Sequence, residues 1–264
     1  MTEHDRPTDR SAPASAPTAA AIAAWCDDLL AAPGTKDYCP NGLQVDGERP
    51  VARLVTGVTA SQALIDAAIA ADADALLVHH GLFWRGDDPC LVGIKGRRVA
   101  ALMRAGVALL AYHLPLDRHP GLGNNRQLAA VLGIDAPQPA DEDGLVWLGR
   151  LPTPQPAAAW AALTAARLAR APLHVAVITR PVSAVAWCTG AAQGYLERAA
   201  ALGADCYLSG EVSEQTVHQA RELGIDYLAA GHHATERYGV QALGEAIAAH
   251  FGLRHRFIDV DNPA

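Results

Sequence analysis

No run in this sequence is long and apolar enough to span a membrane, although half of its 264 residues are hydrophobic. A spanning helix needs about 20 such residues in succession. The apolar residues therefore serve an internal core, and the chain is long enough for one large domain or two lobes. CxxC pairs are also missing: the five cysteines, Cys26, Cys39, Cys90, Cys188 and Cys206, are scattered and odd in number. That excludes a zinc ribbon, argues against a disulfide scaffold, and fits a reducing cytoplasm. Basic clusters are absent beyond Lys95 to Arg98, and the formal net charge is −7. Nucleic acid is disfavoured as the principal partner. Residues Met1 to Thr18 lack a signal-type hydrophobic stretch and are rich in Pro, Ser and Ala. They are expected to form a disordered tail outside the fold.

What the chain has in quantity is histidine. There are eleven, and seven (His79, His80, His113, His119, His218, His232 and His233) fall in or beside a few short segments. The first of these segments is Leu76-Leu77-Val78-His79-His80-Gly81-Leu82-Phe83-Trp84, an apolar strand-like run ending in two histidines and a glycine. Neutral imidazole is the commonest transition-metal ligand. Neighbouring strand residues point to opposite faces, so both rings reach one site only if the strand ends there, as Gly81 implies. Taken alone, the pair also reads as one core histidine and one exposed one.

Along the chain, hydrophobic periodicity and turn chemistry predict a helix over Ala19 to Ala32 and a loop over Asp37 to Gly47. A strand follows over Val51 to Thr59, then a helix from Gln62 to Ala71 capped by Ser61, and the strand Ala75 to Val78. Gly96 to Ala105 reads as a helix, Val107 to Tyr112 as a strand, and Asn124 to Leu132 as a helix that Asn124 could cap. Asp135 to Gly144 is Pro- and acid-rich, Leu145 to Leu151 reads as a strand and Pro152 to Pro156 as a turn. Then come the helix Ala157 to Arg170 and the strand Leu173 to Ile178. A strand-turn-helix-strand unit runs from Val185 to Ser209, followed by the helix Val212 to Leu223 and the strand Ile225 to Ala229. Such alternation implies an α/β fold whose parallel or mixed sheets are covered by helices. Thr59 to His80 (TASQALIDAAIAADADALLVHH) resembles Thr189 to Glu211 (TGAAQGYLERAAALGADCYLSGE) with one residue extra. That match points to an internal duplication.

His79, His80, His113, Asp117, His232 and Glu236 all fall at or just past expected strand ends, where open α/β sheets place their sites. Asp117 lies four residues after His113, and Glu236 four after His232. The latter pair shares a face if a helix starts near Ala234. Mixed imidazole and carboxylate donors suit zinc, manganese, iron or nickel and are too nitrogen-rich for calcium or magnesium. A carboxylate can bridge two such ions. Two ions about 3.5–4 Å apart would acidify a bridging water and polarise a phosphate or carbonyl oxygen.

The segments VTGVTASQ (Val55 to Gln62), VHHGLFW (Val78 to Trp84), HLPLDRHP with LGNN (His113 to Asn125), GEVSEQ (Gly210 to Gln215) and GHHATERYG (Gly231 to Gly239) resemble the Nif-three-like dinuclear-metal family. The resemblance runs from about Tyr38 to Ala264. Bacterial members of that family carry the name GTP cyclohydrolase I type 2 homologue. The resemblance implies a two-lobed α/β fold, with a first lobe over 19–125 and a second over 126–264 whose part 225–264 packs back to complete the site. It implies a toroidal homohexamer with two divalent metal ions per subunit facing an internal cavity. Their ligands would be His79, His80, Asp117, His232 and Glu236, with Glu236 bridging and His113 orienting a ligand or a water.

Three residues are candidates for proton transfer: His113, Glu211, which occupies the repeat position of His80, and His233. A helix-start carboxylate and a surface histidine are the competing readings of Glu211 and His233. His119 and His218 read as solvent-facing, and Phe83 and Trp84 as core or subunit-interface aromatics. Two functions follow. One is a hydrolase-like enzyme in which a metal-activated water attacks a purine nucleotide or related cyclic small molecule. The other is a non-enzymatic metal-binding or partner-binding ring. An open coordination position marks the first, and a ligand set closed by protein marks the second.

Overall fold

The computed structural model describes residues 16–264; most of the expected tail, residues 1–15, lies outside them. The end of that tail belongs to the fold. The Pro17 carbonyl accepts from Val51 N–H (2.7 Å), and Thr18 Oγ1 accepts from Ala21 N–H (3.1 Å) to cap α1 (Ala19–Leu29). The chain continues through β1 (Gly42–Val45), β2 (Arg53–Thr59), α2 (Gln62–Ala70), β3 (Ala75–His80), α3 (Gly93–Ala105) and β4 (Ala108–Ala111). Ser61 caps α2 as expected, its hydroxyl accepting from Leu64 N–H at 3.2 Å. A short α4 (Leu114–Arg118), α5 (Asn124–Leu132), β5 (Asp135–Pro139), β6 (Trp147–Gln155), α6 (Ala157–Leu168) and β7 (Leu173–Val175) follow. Last come β8 (Val182–Trp187), a 3-10 turn over Gln193–Tyr195 leading into α7 (Leu196–Ala201), β9 (Cys206–Ser209), α8 (Glu214–Leu223), β10 (Asp226–Ala229), α9 (His232–Phe251) and β11 (Arg254–Phe257).

Two mixed sheets result. Their orders are β1-β4-β3-β2-β11 and β5-β6-β8-β9-β10-β7. The duplication legible in sequence recurs in the register. Strands β2, β3 and β4 are parallel, with β1 antiparallel on β4; β8, β9 and β10 are parallel, with β7 antiparallel on β10. Asp74 and Asp205 occupy one structural position. Asp74 Oδ2 accepts from Ala52 and Arg53 N–H, and Asp205 Oδ2 from Ser183 and Ala184 N–H, all within 3.0 Å. In each half that carboxylate fastens the start of one parallel strand to the next.

Leu76, Leu77 and Val78 of β3 are wholly buried, because helices cover both faces of the sheet. Parallel strands of that kind read as continuous apolar runs, and each such side chain stabilises the fold by roughly 1.5–3 kcal/mol on burial. The second sheet is filled by Trp147, Trp160 and Trp187 on one side and by Tyr207 and Tyr227 on the other. Helix α9 leaves the end of β10 in the second sheet and packs on α5 and β2. It then turns into β11, which pairs in parallel with β2 of the first sheet.

Three expectations are corrected. The loop over 37–47 contains β1, because Gly42 to Val45 completes the edge of β4. The turn expected at Pro152 to Pro156 is largely strand: β6 runs through Pro152 and Pro154 beside β8, with an irregular register that accommodates the missing N–H groups. Gly123, not Asn124, is the cap residue of α5, and the Asn124 side chain is used elsewhere. All five cysteines are free thiols. No helix among the described residues is long and apolar enough to cross a membrane.

Candidate metal centre

Strand β3 ends at His80, so its last two side chains emerge where the pleat gives way to the Gly81 turn, and their ring centroids lie 4.6 Å apart. A Cβ on Gly81 would stand 2.3 Å from Gln44 Oε1, which accepts from Leu82 N–H to pin the turn. Helix α9 begins at His232, earlier than expected, and the i, i+4 spacing still brings His232 and Glu236 to one face. Strand β4 leads through His113 into α4, which delivers Asp117.

These elements meet. His79 Nε2 lies 3.5 Å from Asp117 Oδ1 and 3.6 Å from Glu236 Oε1. His80 Nε2 and His232 Nε2 lie 3.2 and 3.1 Å from Glu236 Oε2. The donors thus fall into two groups, His79/Asp117/Glu236 and His80/His232/Glu236, which share one carboxylate. A further triad, His79/His80/His113, places His113 beside both strand-end histidines.

The outward nitrogen of every ring is engaged. Nδ1 of His79 faces the Tyr112 carbonyl (2.9 Å), that of His80 the Thr59 hydroxyl (3.0 Å), that of His232 Glu211 Oε1 (2.7 Å) and that of His113 Asp37 Oδ1 (2.7 Å). A partner at Nδ1 sets the tautomer and leaves Nε2 for the interior, the arrangement found around metal-ligating histidines. Asp117 is fixed in the same manner. Asn124 Nδ2 donates to its Oδ1 at 2.8 Å, the Thr189 hydroxyl stands 3.4 Å away, and Asn125 Nδ2 donates to its carbonyl.

Electrostatics are strongly perturbed. Burial disfavours the charged form of His79, but Asp117 and Glu236 outweigh it and raise its pKa to about 9. His232 is raised to about 9 in the same way, by Glu236 and then Glu211. His80 falls to about 3 through burial and the neighbouring imidazoles, against the pull of Glu236. Burial raises the Asp117 carboxyl, whereas the surrounding imidazoles hold Glu236 well below the usual carboxylate range despite its burial. Positive charge thus concentrates on two rings wedged against carboxylates.

The donor set fits metal ions. Ligand atoms 2.0–2.2 Å from a tetrahedral ion stand roughly 3.3–3.6 Å apart, close to the 3.1–3.6 Å separations here. Glu236 Oε2 is buried, and despite its short separations from two imidazoles it has no aligned hydrogen-bond partner. Gly190 leaves the space: a Cβ there would lie 2.1 Å from Glu236 Oε1, and its φ of +70° favours glycine.

The centre forms the floor of a cavity of about 550 Å³, lined also by His113, Trp84, Tyr38 and Tyr195. Trp84 therefore faces the cavity, 5.2 Å from the His113 ring, and is not the core aromatic that one of its two readings made it. His113 is the one proton-transfer candidate on its wall. Glu211 reaches the centre only by backing His232. His233 turns its ring to Asp259 (2.7 Å), away from this cavity. His218 is exposed, whereas His119 accepts two backbone N–H groups in a turn. Sequence reasoning passed over Asp37, Thr59, Asn124, Asn125 and Thr189. Asn124 and Asn125 stood inside a quoted motif but were read only as turn and cap residues.

The model of the Duf34/NIF3 (NGG1p interacting factor 3) family matches residues 17–263. A protein of Allochromatium vinosum named GTP cyclohydrolase 1 type 2 homolog is 61% identical over 241 residues, 91% of this chain and 95% of that one. A protein of the same name from Pseudomonas aeruginosa is 56% identical over 241 residues, 90% of this chain and 95% of that one. Among solved structures, protein ybgI, of unknown function, superposes with a TM-score of 0.90 at 46% identity, covering 94% of this chain and 100% of that one. TTHA1606 from Thermus thermophilus gives 0.84 at 34% identity, covering 92% and 98%.

Proposed function

The chain belongs to the Duf34/NIF3 family, and from that premise we propose that the centre holds two divalent metal ions for hydrolytic chemistry on a cyclic small molecule, a purine nucleotide or a related ring. His79, Asp117 and Glu236 would hold one ion, His80, His232 and Glu236 the other, with Glu236 shared. The observation that carries this reading is the pair of three-donor groups joined through one buried carboxylate at the floor of a cavity. With three protein donors each, such ions would keep a place for a non-protein ligand, the mark of a reactive site rather than a closed structural one. When bound, such a pair supplies an acidified water and a polarised substrate oxygen. The donor chemistry suits zinc, iron, manganese or nickel.

The chain's own residues then divide the remaining work. Tyr112, Thr59 and Glu211 hold the three imidazoles in register, and Asn124 and Thr189 aim Asp117. Asp37 accepts from four donors: the backbone of Tyr38 and Leu114, the Asn41 amide and the His113 ring. Burial pushes that carboxyl up, but these bonds outweigh it and hold it well below its usual range. His113 is thereby presented to the cavity through Nε2, within reach of a substrate proton.

Assembly as a ring-shaped homohexamer in the cytoplasm completes the proposal. Leu91, Val92 and Ile94, just before and at the start of α3, are exposed large apolar side chains close together in sequence, of the kind that subunit contacts cover. Metal analysis of the purified protein, mass measurement in solution, and assays against nucleotides and cyclic amides test the whole reading. Two ions per chain are expected, with turnover that His80→Ala and Glu236→Gln abolish. Turnover unchanged in both variants, or protein that binds no divalent ion, sinks it.

A further inference from the structure

The only basic run in the sequence, Lys95 to Arg98, lies on α3, and its members have different fates. Lys95 is engaged by Asp87 (3.0 Å), by the Asp88 carbonyl and by the face of Phe83. Arg98 lines the cavity above the metal centre. Its Nε is buried and has no hydrogen-bond partner, and no carboxylate among the described residues pairs with its guanidinium. The other arginines near the mouth are occupied: Arg85 donates to the Asp37 carbonyl beside Tyr38, and Arg198 is bound to Asp141. Arg98 is thus the sole Lys or Arg on the cavity wall among the described residues. Leaving a buried guanidinium N–H without an acceptor is costly unless a ligand supplies one.

The rest of the wall describes that ligand. Tyr38 and Trp84 come from the first half of the chain and Tyr195 from the second, so aromatic faces approach from two sides. Aromatic side chains with polar edges stack well on planar rings. On the floor, two carboxylates would face two divalent ions, a balance that is net positive and favours an anion above it.

We infer that Arg98 is the specificity-determining residue of the cavity and that the site takes a planar ring compound carrying an oxyanion, phosphate or carboxylate, which the guanidinium grips in bidentate fashion. This rests on the metal-centre reading and adds what that reading leaves open, the charge and shape of the ligand.

The test compares ligand pairs that differ in charge: adenosine 5′-monophosphate against adenosine, and nicotinate against nicotinamide. Binding is measured by calorimetry to zinc-loaded wild type, Arg98→Ala and Arg98→Lys, with zinc content and solution mass recorded for each. In the wild type the anionic member of one pair binds roughly 10- to 100-fold tighter, the range of a charge-assisted hydrogen bond. The pair showing the larger ratio identifies the oxyanion. Arg98→Ala lowers that ratio at least about fivefold at unchanged zinc content, what remains belonging to the ions, and Arg98→Lys retains more of it. A ratio undiminished in Arg98→Ala overturns the inference, as does wild type that favours neither anion. An altered solution mass with the ratio intact also overturns it, since Arg98 would then be a subunit contact. Protein that fails to retain zinc counts against the metal centre instead, and the same ratio measured without zinc still decides the role of Arg98.

Discussion

Asn124 is the most exacting place to perturb this centre, because one buried amide serves two elements. Its Nδ2 donates to Asp117 Oδ1 at 2.8 Å and its Oδ1 accepts from Gly239 N–H of α9 at 2.9 Å. In Asn124→Ala the buried Asp117 carboxylate loses a donor, a loss worth about 1–3 kcal/mol or somewhat more for a charged group. Gly239 lies inside a helix, where a backbone carbonyl still serves its N–H, so that bond adds little. A destabilisation of roughly 2–3 kcal/mol lowers the melting temperature by about 4–10 °C for a chain of this size. Metal affinity falls about 10- to 100-fold, as for other residues that orient a ligand.

Asn124→Asp separates the two bonds. It keeps an acceptor for Gly239 but sets an oxygen against Asp117 at the same 2.8 Å. Coulomb repulsion there is about 6 kcal/mol at an effective dielectric of about 20. Proton uptake limits the cost to about 4 kcal/mol at pH 7, the cost of protonating a carboxyl with a pKa near 4. Without metal, Asn124→Asp should therefore melt no higher than Asn124→Ala, although it is the closer isostere. Differential scanning calorimetry with and without chelator, together with competitive zinc titration, reads both effects. If Asn124→Ala melts with the wild type and binds zinc equally well, or if metal-free Asn124→Asp is as stable as the wild type, Asn124 does not hold Asp117 in place.

Gly190→Ala forces a methyl against Glu236 Oε1 at a positive φ; zinc content by mass spectrometry should fall below that of the wild type, with destabilisation of about 1 kcal/mol or more. Asp37→Ala removes the acceptor shared by four donors, so a loss on the order of 3 kcal/mol is expected. Faster amide exchange across 37–45 and at His113 should accompany it, and unchanged exchange there would refute the role. Asp205→Ala should cost about 1–3 kcal/mol in urea unfolding through two orphaned backbone N–H groups. Burial raises the Asp205 carboxyl, but the N–H groups of Ala184 and Ser183, then Arg180, outweigh it and lower its pKa. Its contribution is accordingly complete above the unfolded value near 3.9 and is lost as pH falls through the lower folded value. The gap between wild type and variant should stay constant from neutral pH to about 5 and narrow below about 4. A gap that widens in acid contradicts this.

Local chemistry made much of this molecule legible. The apolar run of β3, the Ser61 cap and the Ala-rich helices announce themselves by period and turn residues, and the repeat announced the twin halves. Histidines at strand ends marked the centre because strand termini are where such folds place ligands. What escaped was set by partners distant in sequence. Gly42 to Val45 became a strand only because β4 offered an unpaired edge, and Pro152 stayed in β6 because the irregular register tolerates its missing N–H. Asn124 carries a plausible cap pattern, yet its amide answers to Asp117 and Gly239, one of them 115 positions away. Trp84 looked like a core aromatic for the same reason: nothing in its neighbourhood shows that the chain beyond residue 188 leaves an opening in front of it.

The arrangement of donors explains why α9 and β11 exist as they do. The first half supplies His79, His80 and Asp117, and the second sheet launches His232 and Glu236, so neither of the two donor groups that share Glu236 is complete within one half. Glu236 must reach the end of β3 from a helix rooted in β10, and a helix that merely docked there would hold its carboxylate loosely. The chain avoids this by continuing. Helix α9 packs along α5 and β2, then β11 adds to the first sheet with four residue pairs, Arg254 to Phe257 against Arg53 to Thr56. The shared carboxylate is therefore anchored in both sheets, at β10 before it and at β2 after it. Loosening β11 should then degrade the centre without touching a ligand. His255 is the residue to change, since its Nε2 meets the Thr56 hydroxyl at 2.8 Å and fills the space beside Gly244. His255→Ala leaves a buried hydroxyl and a void under α9, for roughly 1–3 kcal/mol. If Glu236 is held from both sheets, zinc affinity falls together with stability, whereas a variant that melts earlier and binds zinc as tightly as the wild type would show that β10 alone sets the carboxylate.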